Sequence, residues 1–512
     1  MHLSLPARRS TLAALLLALL AAGCARGAPR APAPAPGAVR FLLVNDVYVL
    51  DTLRDGSGGL ARVARLRDSL ARDGGAIFVL AGDVLSPSLL SKWFGGRQMV
   101  EGFNAARLEY ATFGNHEFEL PRDTLIARIA ASRFRWLSAN CTQADSASTP
   151  FPGVRPWDTL TVHGTRVGIF GVTLQGGYAR YVRCADPDTA AHRAIAELRR
   201  AGAMLVVGLT HQNVEADSAL LAREPDLDLI LGGHEHTWHR VTVAGRRVLK
   251  ADANSRSAQV VAMRPGSGLR WLAFDTLVAV GRGMPDDAHT ARVVAAWRDT
   301  LVRRLGPERI VGVLPAPLDL RDGPLRSQET PFGDLVADAM RAGTGADVAL
   351  INGGAMRLDD IIRAGPVSSW QIESAFLFAD ETRAITFPLT GARLREVLEQ
   401  ALTNANYGRG GYLQLSGVTF DFDLSRPERQ RIVGDLRRPD GRPIAPGDTL
   451  TVAFVTYPAC LRGDGYDIPE ARDGDACRQA GSAPRTVDLL LRHLRSMPGD
   501  TITIPPVNRV RR

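Results

Sequence analysis

Five short apolar runs in the first half of the chain each close on a residue able to bind a metal, and this pattern constrains the fold more than any other feature. The runs are FLLVND ending at Asp46, AIFVLAGD at Asp83, YATFGNHE with Asn115 and His116, MLVVGLTH at His211, and LDLILGGHEH with His234 and His236. Runs of this length, rich in Val, Ile, Leu and Phe and punctuated by Gly or Asn, read as buried strands of a mostly parallel sheet. Open α/β sheets hold their ligands outside the carboxyl ends of the strands. Each of the five runs delivers an oxygen or an imidazole at such an end.

The residue types suit a pair of divalent ions. Such a pair needs a carboxylate that can bridge it, further oxygen and nitrogen ligands, and open positions for water and substrate. Asp83, after the small Gly82, reads as the bridge. Asn115, His211 and His234 would serve one ion, Asp46 and His236 the other, with a water activated between them for in-line attack on phosphorus. His116 is left over beside Asn115 and reads as a donor to the phosphoryl oxygens or the leaving group, steadied by Glu119 three residues on. A single His or Asp at a strand end is ordinary loop chemistry, and GD and GN pairs are common in turns. Four of only ten histidines falling into one ordered set separates this pattern from that background.

At these residues the chain resembles the 5'-nucleotidase family of calcineurin-like metallophosphoesterases. The matching motifs are NDVY from Asn45 to Tyr48, GD at Gly82, GNHEFE from Gly114 to Glu119, THQN from Thr210, and GGHEH from Gly232 to His236. The resemblance runs over roughly residues 39 to 500. It implies an N-terminal α/β metallophosphoesterase sandwich domain and a C-terminal α/β domain that binds substrate. It also implies two divalent ions drawn from Mn, Zn, Co or Fe, and hydrolysis of nucleoside 5'-monophosphates or related nucleotides. One position departs from the family, which usually carries a metal-binding His where this chain has Tyr48. Tyr48 either binds a hard ferric ion as phenolate or stays protonated and lines the site.

The second half reads as a substrate pocket. ETPFGDLVADAMR, from Glu329 to Arg341, predicts a helix with Pro331 in its first turn. ADVALINGGAMR predicts a strand entering a Gly-Gly turn, shaped by Asn352 and Gly353, that presents Arg357. The resemblance implies that Arg357 holds the substrate phosphate, for which a guanidinium fork is suited. RGGYLQLSG places Tyr412, and RGDGYDIP places Tyr466, in Gly-rich loops where exposed rings would clamp a nucleobase. The FLFADETR segment from Phe376 to Arg383 departs from the family pattern, so no contact is carried over there.

A chain of 512 residues exceeds what one core normally supports. The expected division is a catalytic domain over 39–280, a linker and helix over 281–310, a nucleotide-binding domain over 311–500 and a tail over 501–512. In HTARVVAAWRDTLVRRLG the pattern predicts a helix with Val293, Trp297 and Leu301 on one face and Gly306 as its stop. Residues 1–23 read as a lipoprotein signal peptide: Arg8 and Arg9 precede a short apolar core that ends in AAGC at Cys24. Acylation of Cys24 would tether the protein to a membrane of a bacterial envelope, facing the periplasm or the exterior. The Pro/Ala linker over 24–38 would hold it off the surface. An exported chain allows disulfides, and pairing Cys141 with Cys184 and Cys460 with Cys477 keeps each bridge inside one domain, although spacing alone leaves connectivity open.

The net charge of +8 is almost entirely arginine scattered through both halves, which argues against a groove for a nucleic-acid polymer. No obligate protein partner is evident. The expected activity is therefore a metal-dependent phosphohydrolase acting on nucleotides. The same site would also serve a cyclic-nucleotide phosphodiesterase, a nucleotide-sugar hydrolase or a sulfur-ester hydrolase. From another class, the chain would be a non-catalytic nucleotide-binding surface lipoprotein if the Tyr48 change had cost it turnover.

Overall fold

Alternation along the first strand shows why the fold has four layers. Val39, Phe41 and Leu43 enter one buried cluster while Leu42 and Val44 enter another, so both faces of the sheet need a cover. The computed structural model describes residues 37–72, 75–145, 149–176, 178–266, 271–356, 358, 360–376, 382–405 and 410–512. The expected signal peptide, Cys24 and nearly all of the Pro/Ala linker, Arg357, and 377–381 of the FLFADETR segment lie outside the described residues.

In chain order, the strands of the two large sheets are β1 (Val39–Val44), β2 (Ala76–Ala81), β3 (Tyr110–Thr112), β4 (Arg135–Leu137), β5 (Val154–Arg155), β6 (Trp157–Val162) and β7 (Thr165–Thr173). They continue with β8 (Leu205–His211), β9 (Leu229–Gly233), β10 (His239–Val243), β11 (Arg246–Lys250), β12 (Ser257–Pro265) and β13 (Trp271–Ala279). One sheet has the order β13-β12-β1-β2-β3-β4-β5 and the other β10-β11-β9-β8-β7-β6. Strands β1 to β5 pair in parallel, as do β7, β8, β9 and β11.

The sheets face each other across Phe41, Leu43, Ile77 and Val79 on one side and Ile169, Val207, Leu209 and Leu231 on the other. Helices Leu60–Leu70, Arg97–Ala105, Arg122–Ala131 and Ala288–Leu305 cover the first sheet. Helices Pro187–Arg200 and Val214–Arg223 cover the second. The layers therefore run helix, sheet, sheet, helix. Because parallel strands end on the same side, the carboxyl ends of β1, β2 and β3 meet those of β8 and β9 at one edge of the sandwich.

The helix between the two halves runs from Ala288 to Leu305, is capped by Asp287, which accepts the Thr290 N–H, and stops at Gly306. Its buried positions are Thr290, Val294 and Trp297, so the buried stripe shares Trp297 with the expected Val293–Trp297–Leu301 face but is rotated from it. Beyond it, β14 (Val348–Asn352), β15 (Ala384–Thr390), β16 (Leu413–Ser416) and β17 (Thr449–Val455) form a sheet of order β15-β17-β14-β16. Helix Pro331–Thr344 packs on this sheet, with Pro331 in its first turn and Thr330 accepting the Gly333 N–H at 3.1 Å. Disulfides join Cys141 to Cys184 and Cys460 to Cys477. Among the described residues no helix is long and apolar enough to cross a membrane.

Trp297 carries much of the linking helix's attachment. Its ring meets Phe94 edge-on at 5.1 Å and its indole N–H donates to Glu101 Oε2 at 2.9 Å. Trp297→Ala should cost about 3–5 kcal/mol of stability, read as a lower urea midpoint at unchanged slope.

Candidate metal centre

Ligand-bearing loops leave the strand ends through sharp turns. Asp46, Asp83, His234 and His236 have φ of 53°, 56°, 96° and 62°, a region that side chains other than Gly rarely adopt. Each such residue costs about 1–3 kcal/mol and persists only where its surroundings over-determine it. Here they do. Asp46 N–H donates to Gly82 O at 3.1 Å, Val47 N–H to Asp83 O at 3.0 Å, and Asn254 N–H to Asp46 O at 2.8 Å. The Asn45 amide clamps the backbone of Ala251 in both directions, at 3.0 and 2.8 Å.

Two glycines let the carboxylates approach. A Cβ at Gly82 would lie 2.5 Å from His211 Nδ1, and one at Gly114 would lie 2.0 Å from Asp83 Oδ1. Asp83 Oδ1 accepts the His116 N–H at 2.9 Å, while Asp83 Oδ2 lies 3.1 Å from His211 Nε2. His211 Nδ1 faces Ala81 O at 2.8 Å, which sets the tautomer and turns Nε2 toward Asp83 and Asn115 Oδ1, the latter at 3.2 Å. Asp46 Oδ2 accepts from His234 N–H at 2.9 Å and from Asn45 Nδ2 at 2.7 Å. His236 Nε2 lies 3.5 Å from Asp46 Oδ1. The rings of His211 and His234 meet edge-on at 5.2 Å. The structure thus gathers all six expected ligand residues.

Electrostatics follow from burial without water. Burial alone would raise the Asp83 carboxyl, but the His211 and His116 charges outweigh it and hold the group well below the usual carboxylate range. Burial works against protonation of His211 as well, yet Asp83 and Asp46 push it up to about 9. Burial, with the His211 charge beside it, lowers His234 and favours the neutral imidazole that binds metals.

The residues fit a metal. Asp46 Oδ1 is buried and accepts no hydrogen bond among the described residues, an expensive state for a carboxylate oxygen unless a cation meets it. Donor atoms of Asp46, Asp83 and His211 lie within 4.8 Å of one another. Tyr48 is buried inside this set. Its hydroxyl is 3.3 Å from Asp83 Oδ2 and 3.1 Å from His236 Nε2. His116 Nε2 is 3.9 Å from Asp83 Oδ2, while its Nδ1 is 3.0 Å from Glu119 Oε1. Glu119 is in turn fixed by the Ser86 hydroxyl at 2.9 Å.

Glu117, inside GNHEFE, is a further residue of the site beyond the expected set. It is fully buried, and its carboxylate receives the N–H groups of Asp83, Val84, Leu85 and Gly114 at 2.9, 2.7, 2.9 and 2.6 Å. It shapes the loop that carries Asp83. Its place within the motif was the available signal.

In the second half the structure corrects the expected aromatic clamp. Tyr412 is 4% exposed and Tyr466 2% exposed, so neither is an open platform. The glycines beside Tyr412 let the chain press onto the turn after β14, with Gly353 N–H to Tyr412 O at 2.8 Å and Gly354 N–H to Gly410 O at 2.7 Å. Tyr466 packs edge-on to Phe454 at 5.7 Å and its hydroxyl donates to Gly411 O. The exposed ring nearby is Tyr457, 51% exposed, in the short helix Thr456–Leu461 and lying against Gly463. Beside it Asp464 accepts from Asn352 Nδ2 at 2.9 Å, while Asn352 Oδ1 is buried without a hydrogen-bond partner among the described residues.

Known proteins resemble this chain in sequence and in fold. Residues 39–238 match the calcineurin-like phosphoesterase model and residues 310–470 the 5'-nucleotidase C-terminal domain model. The chain is 24% identical over 517 residues to a 5'-nucleotidase of Diplobatis ommata, covering 90% of this chain and 88% of that protein. It is 25% identical over 472 residues to endonuclease YhcR of Bacillus subtilis, covering 84% of this chain. It spans about a third of YhcR and of the Bacillus subtilis trifunctional nucleotide phosphoesterase YfkN, 37% and 31% of their lengths. Among solved structures, a 5'-nucleotidase precursor from Thermus thermophilus superposes with a TM-score of 0.69 at 22% identity, covering 93% of this chain and 99% of that one. The sulfate thiohydrolase SoxB of Thermus thermophilus superposes with a TM-score of 0.66 at 19% identity, covering 94% and 98%. The two matched domains, in this order, make the chain a member of the 5'-nucleotidase family of calcineurin-like phosphoesterases.

Proposed function

We propose that the protein is a metal-dependent phosphohydrolase that releases phosphate from nucleoside 5'-monophosphates or related nucleotides. The observation that carries this is the joint presence, at one edge of the sandwich, of the buried Asp46–Asp83–His211 donor set and the His116–Glu119 pair in the turn after β3. Asp83 would bridge the two ions, with Asp46 and His236 on one and Asn115, His211 and His234 on the other. When bound, the ions supply Lewis-acid stabilisation of charge on the phosphoryl oxygens and lower the pKa of a water.

The chain's own groups do the rest. His116 is held by Glu119 through Nδ1, which turns Nε2 toward the Asp83 side of the site, where it can give a hydrogen bond or a proton to the phosphoryl or leaving oxygen. Tyr48 keeps its phenol proton and lines the site, donating to Asp83. Tyr457 offers a ring face to the base, and Asp464 with Asn352 lies beside it for polar contacts. Family resemblance, rather than geometry, assigns the phosphate to Arg357. The lipid anchor at Cys24 would place this chemistry on the envelope face, where nucleotides are taken from outside the cytoplasm.

Stripping the metal should abolish phosphate release from AMP, and Mn, Zn, Co or Fe should restore it. His116→Ala should then lower kcat by about 10²–10⁴-fold. AMP that binds without being turned over under every ion would instead favour a non-catalytic nucleotide-binding protein. Turnover of bis-p-nitrophenyl phosphate as fast as AMP would favour a diesterase. Tyr48→Phe should leave metal content unchanged and Tyr48→His should raise affinity for the ion assigned to Asp46 and His236, read by metal analysis after dialysis; loss of an ion in Tyr48→Phe would make the phenol a ligand. Tyr457→Ala should raise KM for AMP by about 5- to 150-fold, the equivalent of roughly 1–3 kcal/mol of stacking, while KM for ribose 5-phosphate stays put.

A further inference from the structure

Lys250 is fully buried at the end of β11 and is one of only two lysines among 62 basic residues. Its ammonium lies 2.9 Å from Asp217 Oδ2 and 2.7 Å from Glu235 Oε2. It also donates to the carbonyls of Gln212 at 2.6 Å and Gly233 at 2.8 Å. Those partners are not arbitrary in sequence. Gln212 follows His211, Gly233 precedes His234, and Glu235 lies between His234 and His236. The cluster closes on itself, with Gln212 Nε2 donating to Asp217 Oδ1 at 3.0 Å and Glu235 Oε1 accepting the Val214 N–H.

A buried ion pair is weak evidence for stability, because desolvation of the charges offsets their attraction. Its value lies in what it holds in place. A compact ammonium can meet acceptors spread around it, whereas the flat fork of arginine presents its donors in one plane. That geometry accounts for a lysine here in a chain that otherwise uses arginine nearly throughout. We infer that Lys250 is a positioning residue for the metal centre: it ties the ends of β8 and β9 together, sets His211 against His234 and His236, and thereby sets metal affinity without touching substrate. The inference rests on the metal reading of the site.

The test is calorimetric titration of Zn or Mn into the metal-stripped full chain. The variants are Lys250→Gln and, as comparator, Asp228→Asn. Asp228 is also buried on the same two-strand unit, paired with Arg199 at 2.7 Å and accepting the Val206 N–H at 2.9 Å, but at the opposite end from the ligands. Lys250→Gln should raise the metal Kd by about 10- to 100-fold, with kcat at saturating metal and KM within about threefold of wild type. Asp228→Asn should lower Tm and leave the metal Kd within about threefold. An unchanged Kd in Lys250→Gln, or equal shifts in both variants, would overturn the inference. If Lys250→Gln does not fold, Glu235→Gln keeps Lys250 paired with Asp217 and should also raise Kd; an unchanged value there overturns the inference equally. Wild type that takes up no metal would sink the metal reading and this inference together, whereas normal wild-type uptake with an unshifted Lys250→Gln would sink this inference alone.

Discussion

Everything at the site depends on one contact across the sandwich. Asp83 leaves the first sheet and His211 ends a strand of the second, and their side chains meet at 3.1 Å. Two sheets packed face to face bring the carboxyl ends of their parallel strands to a common edge, but only residues without bulk next to the ligands let those ends close. Gly82 and Gly114 meet that need, and the positive φ of Asp46 and Asp83 turns each carboxylate back over the edge. The resulting set is negative, buried and incompletely hydrogen-bonded, which is what a cation requires.

The arrangement is held by buried polar groups outside the expected ligand set. Glu117 collects three N–H groups of the Asp83 loop and that of Gly114, Asn45 locks the loop after β11 against the first strand, and Lys250 binds the carbonyls that flank His211 and His234. Each of these groups has given up water to face fixed partners. Removing one would leave the others buried and unpaired, a larger penalty than the worth of any single bond. A strained site of this kind is stable because its supports are numerous and mutually satisfied.

The strand ends that gather the expected ligand residues were legible in sequence because their strands are continuous apolar runs and those residues follow directly at their ends. Local pattern was enough there. It was not enough for groups whose partners lie far along the chain: Lys250 reaches Gln212 across 38 residues and Glu117 reaches Asp83 across 34. Glycine neighbours suggested open loops at Tyr412 and Tyr466, yet at Tyr412 the same glycines allow close backbone approach, and Tyr466 is drawn inward onto Phe454 and the Gly411 carbonyl. Tyr457, set in a short helix with Pro458, gave no such signal and is the exposed ring. On the linking helix, the faces through Val293 and Val294 both contain Trp297 and fit a helical period. Packing against the first sheet's other helices selected the Thr290–Val294–Trp297 stripe.

Anomalous diffraction from crystals grown with Mn or Zn tests the central claim most directly. The expected result is two peaks at the shared strand edge, with Asp83 contacting both, Asp46 and His236 on one, and Asn115, His211 and His234 on the other. A single peak, or peaks away from Asp83, would contradict the two-ion reading of this edge.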